Sequence, residues 1–138
     1  MSLGDKNVIT VVLIEPMKKA KVIEIEEKLE AMQSVVEGSI EEYMPFEDDV
    51  AIICNDEGKI RGLDLNRAIY DKDGKMQEII CGKFFLCYAP IDSEKFLSMP
   101  DDLLKKYEAK FRYPEQFFKT EDGIKAVKIG LKNETPER

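Results

Sequence analysis

The sequence predicts an α+β protein, a single domain with a mixed, mostly antiparallel sheet of about five to seven strands and two main helices. Short apolar or β-branched runs recur along the chain, turns rich in Gly, Asn and Asp separate them, and two stretches have the apolar spacing of helices. With 138 residues, the chain is long enough for one domain with its own core. We expect this domain to span residues 7–131, followed by a polar tail at 132–138.

The first elements follow from residue type and spacing. The β-branched run at 7–14 stops at Pro16 and predicts a central strand, with which residues 21–25 can pair as a hairpin. Apolar side chains at three- and four-residue steps then predict a helix over residues 26–37. Gly38 is expected to end that helix in the left-handed conformation.

The middle of the chain is expected to form the core of the sheet. Ile40 alternates with acidic residues within residues 39–43, as in an edge strand. Val50–Asn55 is almost wholly apolar, which predicts a strand buried on both faces. Gly82 interrupts the apolar runs and indicates a bulge or a close approach of two chain segments. Three further strands are predicted between the turns, at residues 68–70, 76–81 and 83–88.

Residues 89–131 are expected to add a C-terminal helical extension to the core at 7–88. Ser98 followed by Pro100 is typical of a helix start, with the serine as the cap. Apolar spacing continues the helix to about Arg112, and alternation at 124–131 predicts a late strand.

The residue types present limit the chemistry. The chain has no histidine, which removes the commonest general base, the commonest metal ligand and every Ser-His or Cys-His pair. Cys54, Cys81 and Cys87 lie inside apolar runs without the spacing of a metal site, so we interpret them as buried, reduced thiols. We therefore expect no metal, no cofactor and no catalytic residue. No signal peptide or membrane span is visible, and we expect a cytoplasmic protein that does not bind membranes.

The net charge of −7 is concentrated in one segment. Residues 24–49 carry ten acids and one base, Lys28. Such a flank repels phosphates, so we expect no direct nucleic-acid binding, but it suits a basic protein partner. The candidate acidic interaction face comprises Glu26, Glu30, Glu37, Glu41, Glu42 and Asp48. A solvated face that merely keeps the protein soluble is the alternative interpretation.

Several short pieces of the sequence occur in the order and spacing of a known family. They are Ile14-Glu15-Pro16, Leu29-Glu30-Ala31-Met32-Gln33, Val36-Glu37-Gly38, Ile53-Cys54-Asn55-Asp56-Glu57-Gly58-Lys59, Leu65-Asn66-Arg67-Ala68 and Ile80-Cys81-Gly82-Lys83-Phe84-Phe85. Over about residues 7–88 the chain resembles the bacterial and phage domain of unknown function DUF3846. Where the family pattern has a glycine after the first strand, this chain has Met17. The resemblance implies small proteins of bacteria, phages and mobile elements, and it implies no activity.

The resemblance also places the family's Asn-Arg step on Asn66 and Arg67 and its strand-end asparagine on Asn55. An arginine fork can bind a carboxylate or phosphate at two points, so these three residues are the candidate ligand- or partner-binding site. The alternative is structural, with Asn66 satisfying loop carbonyls and amides and Arg67 paired with the acidic flank at residues 24–49. Burial of such a pair without partners would cost on the order of 1–3 kcal/mol per lost hydrogen bond, so partners must exist.

Three functions remain open at this stage. The first is a non-catalytic accessory or interaction protein of a bacterial or mobile-element setting, with a protein partner. The second is an acidic DNA mimic of the anti-restriction type, which requires the six acids of the candidate face to line one surface. The third is an enzyme that works without histidine. The sequence leaves the oligomeric state open.

Overall fold

The computed structural model describes residues 7–130, which fold into nine strands and two helices. In chain order these are β1 (Val8–Ile14), β2 (Lys21–Glu26), α1 (Leu29–Val36), β3 (Ile40–Tyr43), β4 (Val50–Asn55), β5 (Leu65–Tyr70), β6 (Met76–Cys81), β7 (Phe84–Tyr88), α2 (Asp101–Lys110), β8 (Glu115–Thr120) and β9 (Gly123–Lys128). The strands form one five-stranded and two two-stranded sheets, all antiparallel. The predicted α+β class is therefore confirmed. The predicted tail at 132–138 lies outside the described residues.

The five-stranded sheet has the order β2-β1-β7-β4-β3. Strand β1 has neighbours on both sides, as expected for a central strand, and β2 folds back on it from Val8↔Glu26 to Leu13↔Lys21. Strand β3 lies at one end of the sheet, where the sequence placed an edge strand, and among the described strands it pairs only with β4. The Pro16 turn that connects β1 to β2 contains Met17 at φ 62°, so a methionine adopts the left-handed conformation that glycine adopts without strain.

Both faces of this sheet are covered, which explains the composition of β4. Helix α1 covers one face with Met32 and Val36, and the other face is covered by α2 and by the β5–β6 hairpin. All six residues of β4 are buried, because alternate side chains enter the two cores. The sequence prediction of a strand buried on both faces is confirmed.

The expectation that the middle of the chain forms one core sheet is only partly correct. Strands β4 and β7 are neighbours in the main sheet, but β5 and β6 form a separate two-stranded sheet. Gly82 turns the chain from β6 into β7 at φ 82°, and a Cβ there would lie 2.7 Å from Cδ1 of Leu63. This close approach is the physical reason for the interruption predicted at Gly82.

The start and end of helix α1 differ from the sequence prediction. Strand β2 continues to Glu26, so the helix begins at Leu29 rather than at residue 26. The residue in the left-handed conformation is Glu37, at φ 65°, and not Gly38. Gly38 is instead required for space, because a Cβ there would lie 2.6 Å from Nδ2 of Asn55.

The C-terminal part contains more strand than predicted. Ser98 does not cap α2, since its Oγ accepts the amide hydrogen of Thr10 at 2.9 Å and the helix begins at Asp101, after Pro100. The late strand β9 is present, but its partner β8 was not predicted. Neither helix of the described residues has the length and apolarity needed to cross a membrane.

Candidate functional site

The structure buries the predicted Asn66–Arg67 pair completely within β5. The side-chain amide of Asn66 donates to the carbonyl of Ile14 at 3.0 Å and to that of Gly82 at 2.7 Å. Asn66 thereby joins the end of β1 to the β6–β7 turn. Ligand binding at this pair stays a prediction, but a ligand would first have to displace these contacts.

The guanidinium of Arg67 donates to carbonyl oxygens from separate segments of the chain. Its Nε and Nη2 reach the carbonyl of Phe111 at 3.2 and 2.9 Å. Nη2 also reaches the carbonyl of Lys18 at 2.8 Å, and Nη1 donates to Oδ1 of Asn66 at 2.9 Å. A weaker contact of 3.5 Å joins Nη1 to the carbonyl of Glu15. Arg67 thus ties the β1–β2 turn to the end of α2. The predicted pairing of Arg67 with the acidic flank is wrong, because its hydrogen bonds go to these carbonyls and to Asn66.

Glu115 is a buried acid next to this network that the sequence analysis did not single out. Its Oε1 accepts the amide hydrogen of Ala68 at 2.9 Å, which attaches β8 to β5. Burial raises the pKa of Glu115, and the Ala68 amide and the charge of Arg67 oppose that shift. Burial also lowers the pKa of Arg67 to about 10, against the opposite influence of Glu115, so Arg67 remains charged at neutral pH.

Asn55, the third predicted site residue, caps a helix. Its Nδ2 donates to the carbonyls of Val36 and Glu37 at 3.0 and 3.3 Å, and its Oδ1 accepts the amide hydrogen of Glu57 at 2.7 Å. Asn55 therefore satisfies carbonyls at the C-terminus of α1 that the helix itself leaves unpaired. The structure separates it from Asn66 and Arg67, which lie on β5 with partners in β1 and α2.

A cavity of about 360 Å³ separates the β3–β4 edge from the β5–β6 hairpin, and we call it the hairpin cavity. Four carboxylates line it, from Glu41, Asp56, Glu57 and Glu78. Lys59, which also lines it, is paired with Glu78. Apolar and sulfur groups also contribute to its wall, including Ile80, Cys54 and Cys81.

All three thiols are free and buried, as the sequence predicts. Two of them, Cys54 and Cys81, lie at the wall of the hairpin cavity and are 6% exposed. Burial, with the Glu41 carboxylate next in effect, raises the pKa of Cys54 to about 12, and burial also raises that of Cys81. Burial raises the pKa of Cys87 to about 12 as well. Such thiols remain protonated at neutral pH and are weak nucleophiles.

A second cavity, of about 410 Å³, lies between β3 and the loop after β7, and we call it the loop cavity. Its carboxylates belong to Glu42, Asp49 and Glu94. Its lysine, Lys95, lies 3.4 Å from a carboxylate oxygen of Glu27. Neither cavity was predicted, because both depend on how the loops after β4 and β7 fold.

The six acids of the predicted interaction face are distributed over several surfaces. Consecutive residues Glu41 and Glu42 of β3 point to opposite faces of the sheet, one to each cavity. Glu30 lies exposed in the first turn of α1 and lines neither cavity. The other three lie beside lysines, in the pairs Glu26–Lys28, Glu37–Lys83 and Asp48–Lys106.

Comparison with known families identifies the chain. The family model of DUF3846, a domain of unknown function, matches residues 9–112, and the chain belongs to this family. The match extends from β1 to just past α2, so the family-like region is longer than the predicted 7–88 and includes the second helix. The β8–β9 hairpin lies beyond it. Comparisons with curated proteins and with solved structures gave no significant match.

Proposed function

We propose that this chain is a non-catalytic interaction module that recognises a basic segment of a partner protein at the β3 edge of its sheet. The observation that supports this most is the charge around β3. Among residues 7–130, seven carboxylates line the two cavities beside this strand, against two lysines that are already paired with carboxylates. We call β3 and these seven carboxylates the acidic margin. A cationic side chain entering either cavity gains charge-assisted hydrogen bonds.

The state of the nucleophilic groups favours an interaction module over an enzyme. The three thiols are the best nucleophiles of this chain, and their raised pKa values keep them protonated at neutral pH. The donors of Asn66 and Arg67 are directed at carbonyls of the protein itself. These groups therefore stabilise the fold in the arrangement observed.

The distribution of acids favours a protein partner over DNA mimicry. A mimic of a phosphate backbone needs its carboxylates along one surface, whereas Glu41 and Glu42 point to opposite faces of β3. A strand with acids on both faces instead suits a partner that reaches around the sheet edge. A bacterial or mobile-element setting and a cytoplasmic location are part of this proposal, and they rest on the family resemblance and on the sequence.

The test is binding of a fluorescein-labelled octalysine peptide, followed by fluorescence anisotropy at low ionic strength. We expect the double variant Glu41→Gln/Glu42→Gln to bind about fivefold more weakly, because two partly exposed ion pairs contribute roughly 1 kcal/mol together. The control is Glu24→Gln/Glu30→Gln, which removes the same charge from exposed positions on β2 and α1. Absence of binding to the unmodified protein, or an equal loss in both double variants, would refute the proposal.

A further inference from the structure

The outer edge of β3 has main-chain groups available for another strand. Within residues 7–130, β3 has β4 on one side and no strand on the other. The amide of Asp56 donates to the carbonyl of Ser39 at 3.0 Å, which marks these two residues as a hydrogen-bonded pair of the β3–β4 ladder. Because such pairs alternate in antiparallel sheets, Ile40 and Glu42 direct their amide and carbonyl groups away from β4.

The two acidic cavities lie on opposite sides of this edge. Glu41 and Tyr43 face the hairpin cavity, and Glu42 and Met44 face the loop cavity. A strand added to β3 would also direct successive side chains to opposite faces of the sheet. Neighbouring residues of the added strand would therefore approach different cavities.

We propose that the partner segment binds as an extra β-strand along β3 and places neighbouring basic side chains in the two cavities. This inference rests on the proposed function and specifies its geometry. Main-chain hydrogen bonds to Ile40 and Glu42 hold the segment, and the cavities select the side chains, as in other complexes that form by strand addition.

Charge decides which strand this edge accepts. Exposed edge strands can pair with any extended chain, and acids on the edge discourage pairing with a second, equally acidic copy. The same acids attract a segment that carries lysine or arginine. The occupant is therefore an extended basic segment of a different protein.

The first test compares two labelled peptides of equal composition, each a Thr/Val-rich octapeptide with two lysines. In one the lysines are adjacent, so that an extended chain presents them to opposite faces. In the other they are separated by one residue and face the same side. We expect the adjacent arrangement to bind roughly two- to fivefold more tightly, the value of one partly exposed ion pair.

The second test removes an outward-facing amide without touching the β3–β4 ladder. Glu42→Pro deletes the carboxylate and the amide hydrogen, and proline is tolerated at strand edges. Glu42→Gln deletes the charge alone and is the matched control. We expect Glu42→Pro to bind the adjacent-lysine peptide roughly fivefold more weakly than Glu42→Gln, the effect of one lost hydrogen bond. The same test can be made on the unmodified protein with peptides methylated at single amide nitrogens, because each methyl group removes one hydrogen that would bond to β3. A folding defect in the proline variant has no influence on that result.

The outcomes separate this inference from the proposed function. Equal affinity for the two lysine arrangements, with no effect of Glu42→Pro beyond Glu42→Gln or of peptide methylation, overturns strand addition. If octalysine still binds in a manner that depends on Glu41 and Glu42, the proposed function stands. If no basic peptide binds, both are refuted.

Discussion

At the scale of single residues, Arg67 connects parts of the chain that are far apart in sequence. Its acceptors on Phe111, Lys18 and Glu15 lie 44, 49 and 52 residues away. The sequence predicts a strand only from residue 68, whereas β5 begins at Leu65 and includes Arg67. Because a buried arginine must have acceptors, the sequence could still predict that partners exist. It could not predict which ones, because main-chain carbonyls carry no signature in the residue types around them.

Replacement of this arginine should be strongly destabilising. We expect Arg67→Met to lower the free energy of unfolding by about 3–5 kcal/mol, because buried carbonyls and Oδ1 of Asn66 lose their donors. Urea denaturation followed by circular dichroism measures this. The matched control is Arg61→Met, which removes an exposed guanidinium that bonds the Glu37 carbonyl and should cost about 1 kcal/mol or less. Equal losses for the two variants would contradict the structural role of Arg67.

The thiols provide a second test at this scale. Because burial raises the pKa of Cys54 and Cys87 to about 12, these two thiols of the native protein should react with a thiol-specific disulfide reagent at pH 7 about three orders of magnitude more slowly than free cysteine. Cys81, whose pKa burial also raises, should react more slowly than free cysteine as well. Unfolding in guanidinium should restore the ordinary rate for all three. Rapid reaction of Cys54 or Cys81 in the native state would instead support a nucleophilic function at the hairpin cavity.

At the scale of elements, prediction succeeded where one periodicity dominates a segment. The β-branched run of β1 and the apolar run of β4 each indicate a strand, and the three- and four-residue spacing of α2 indicates a helix. It failed where signals conflict. Acids at Glu26 and Glu27 imitate a helix start, yet Glu26 is still paired with Val8 in the sheet. Strand β8 depends on its pairing with β9 and on Glu115, neither of which local spacing indicates.

The loop between β3 and β4 is attached to α2 by an ion pair whose strength should depend on pH. The ammonium of Lys106 and the hydroxyl of Tyr107 donate to Asp48 at 2.6 and 2.8 Å, and these bonds hold the pKa of Asp48 below its ordinary value of 3.8. A carboxylate whose pKa is lowered by folding contributes its full stabilisation at pH values above its ordinary pKa. That contribution is lost as the pH falls through the pKa of the folded state.

We therefore expect Asp48→Asn to lower the free energy of unfolding by roughly 0.5–1 kcal/mol at pH 7. The difference from the unmodified protein should shrink as the pH falls below about 4, because the unmodified carboxyl is then protonated as well. Urea denaturation at several pH values gives this profile. The neighbouring exposed acid provides the control, since Asp49→Asn should change the free energy of unfolding by less than about 0.5 kcal/mol at pH 7. A loss for Asp48→Asn that is independent of pH would exclude the electrostatic explanation.

At the scale of the whole molecule, charge and topology combine at one end of the sheet. The acidic segment at residues 24–49 was visible in the sequence, but its arrangement was not. Of these acids, the fold places Glu41, Glu42 and Asp49 at the two cavities beside β3, where Asp56, Glu57, Glu78 and Glu94 from other segments join them. Composition therefore predicted a basic partner, whereas the surface that would bind it depends on β3 being the last strand of the sheet.

The most direct measurement is an NMR titration of the isotope-labelled protein with octalysine at low ionic strength. The largest changes in amide chemical shift should occur in Ile40–Tyr43 and in residues that line the two cavities beside it. Raising the salt concentration should reverse them, because partly exposed charges are screened. If the largest changes occur instead along β2 or α1, or if no amide shifts at all, the acidic margin is not the binding surface of this protein.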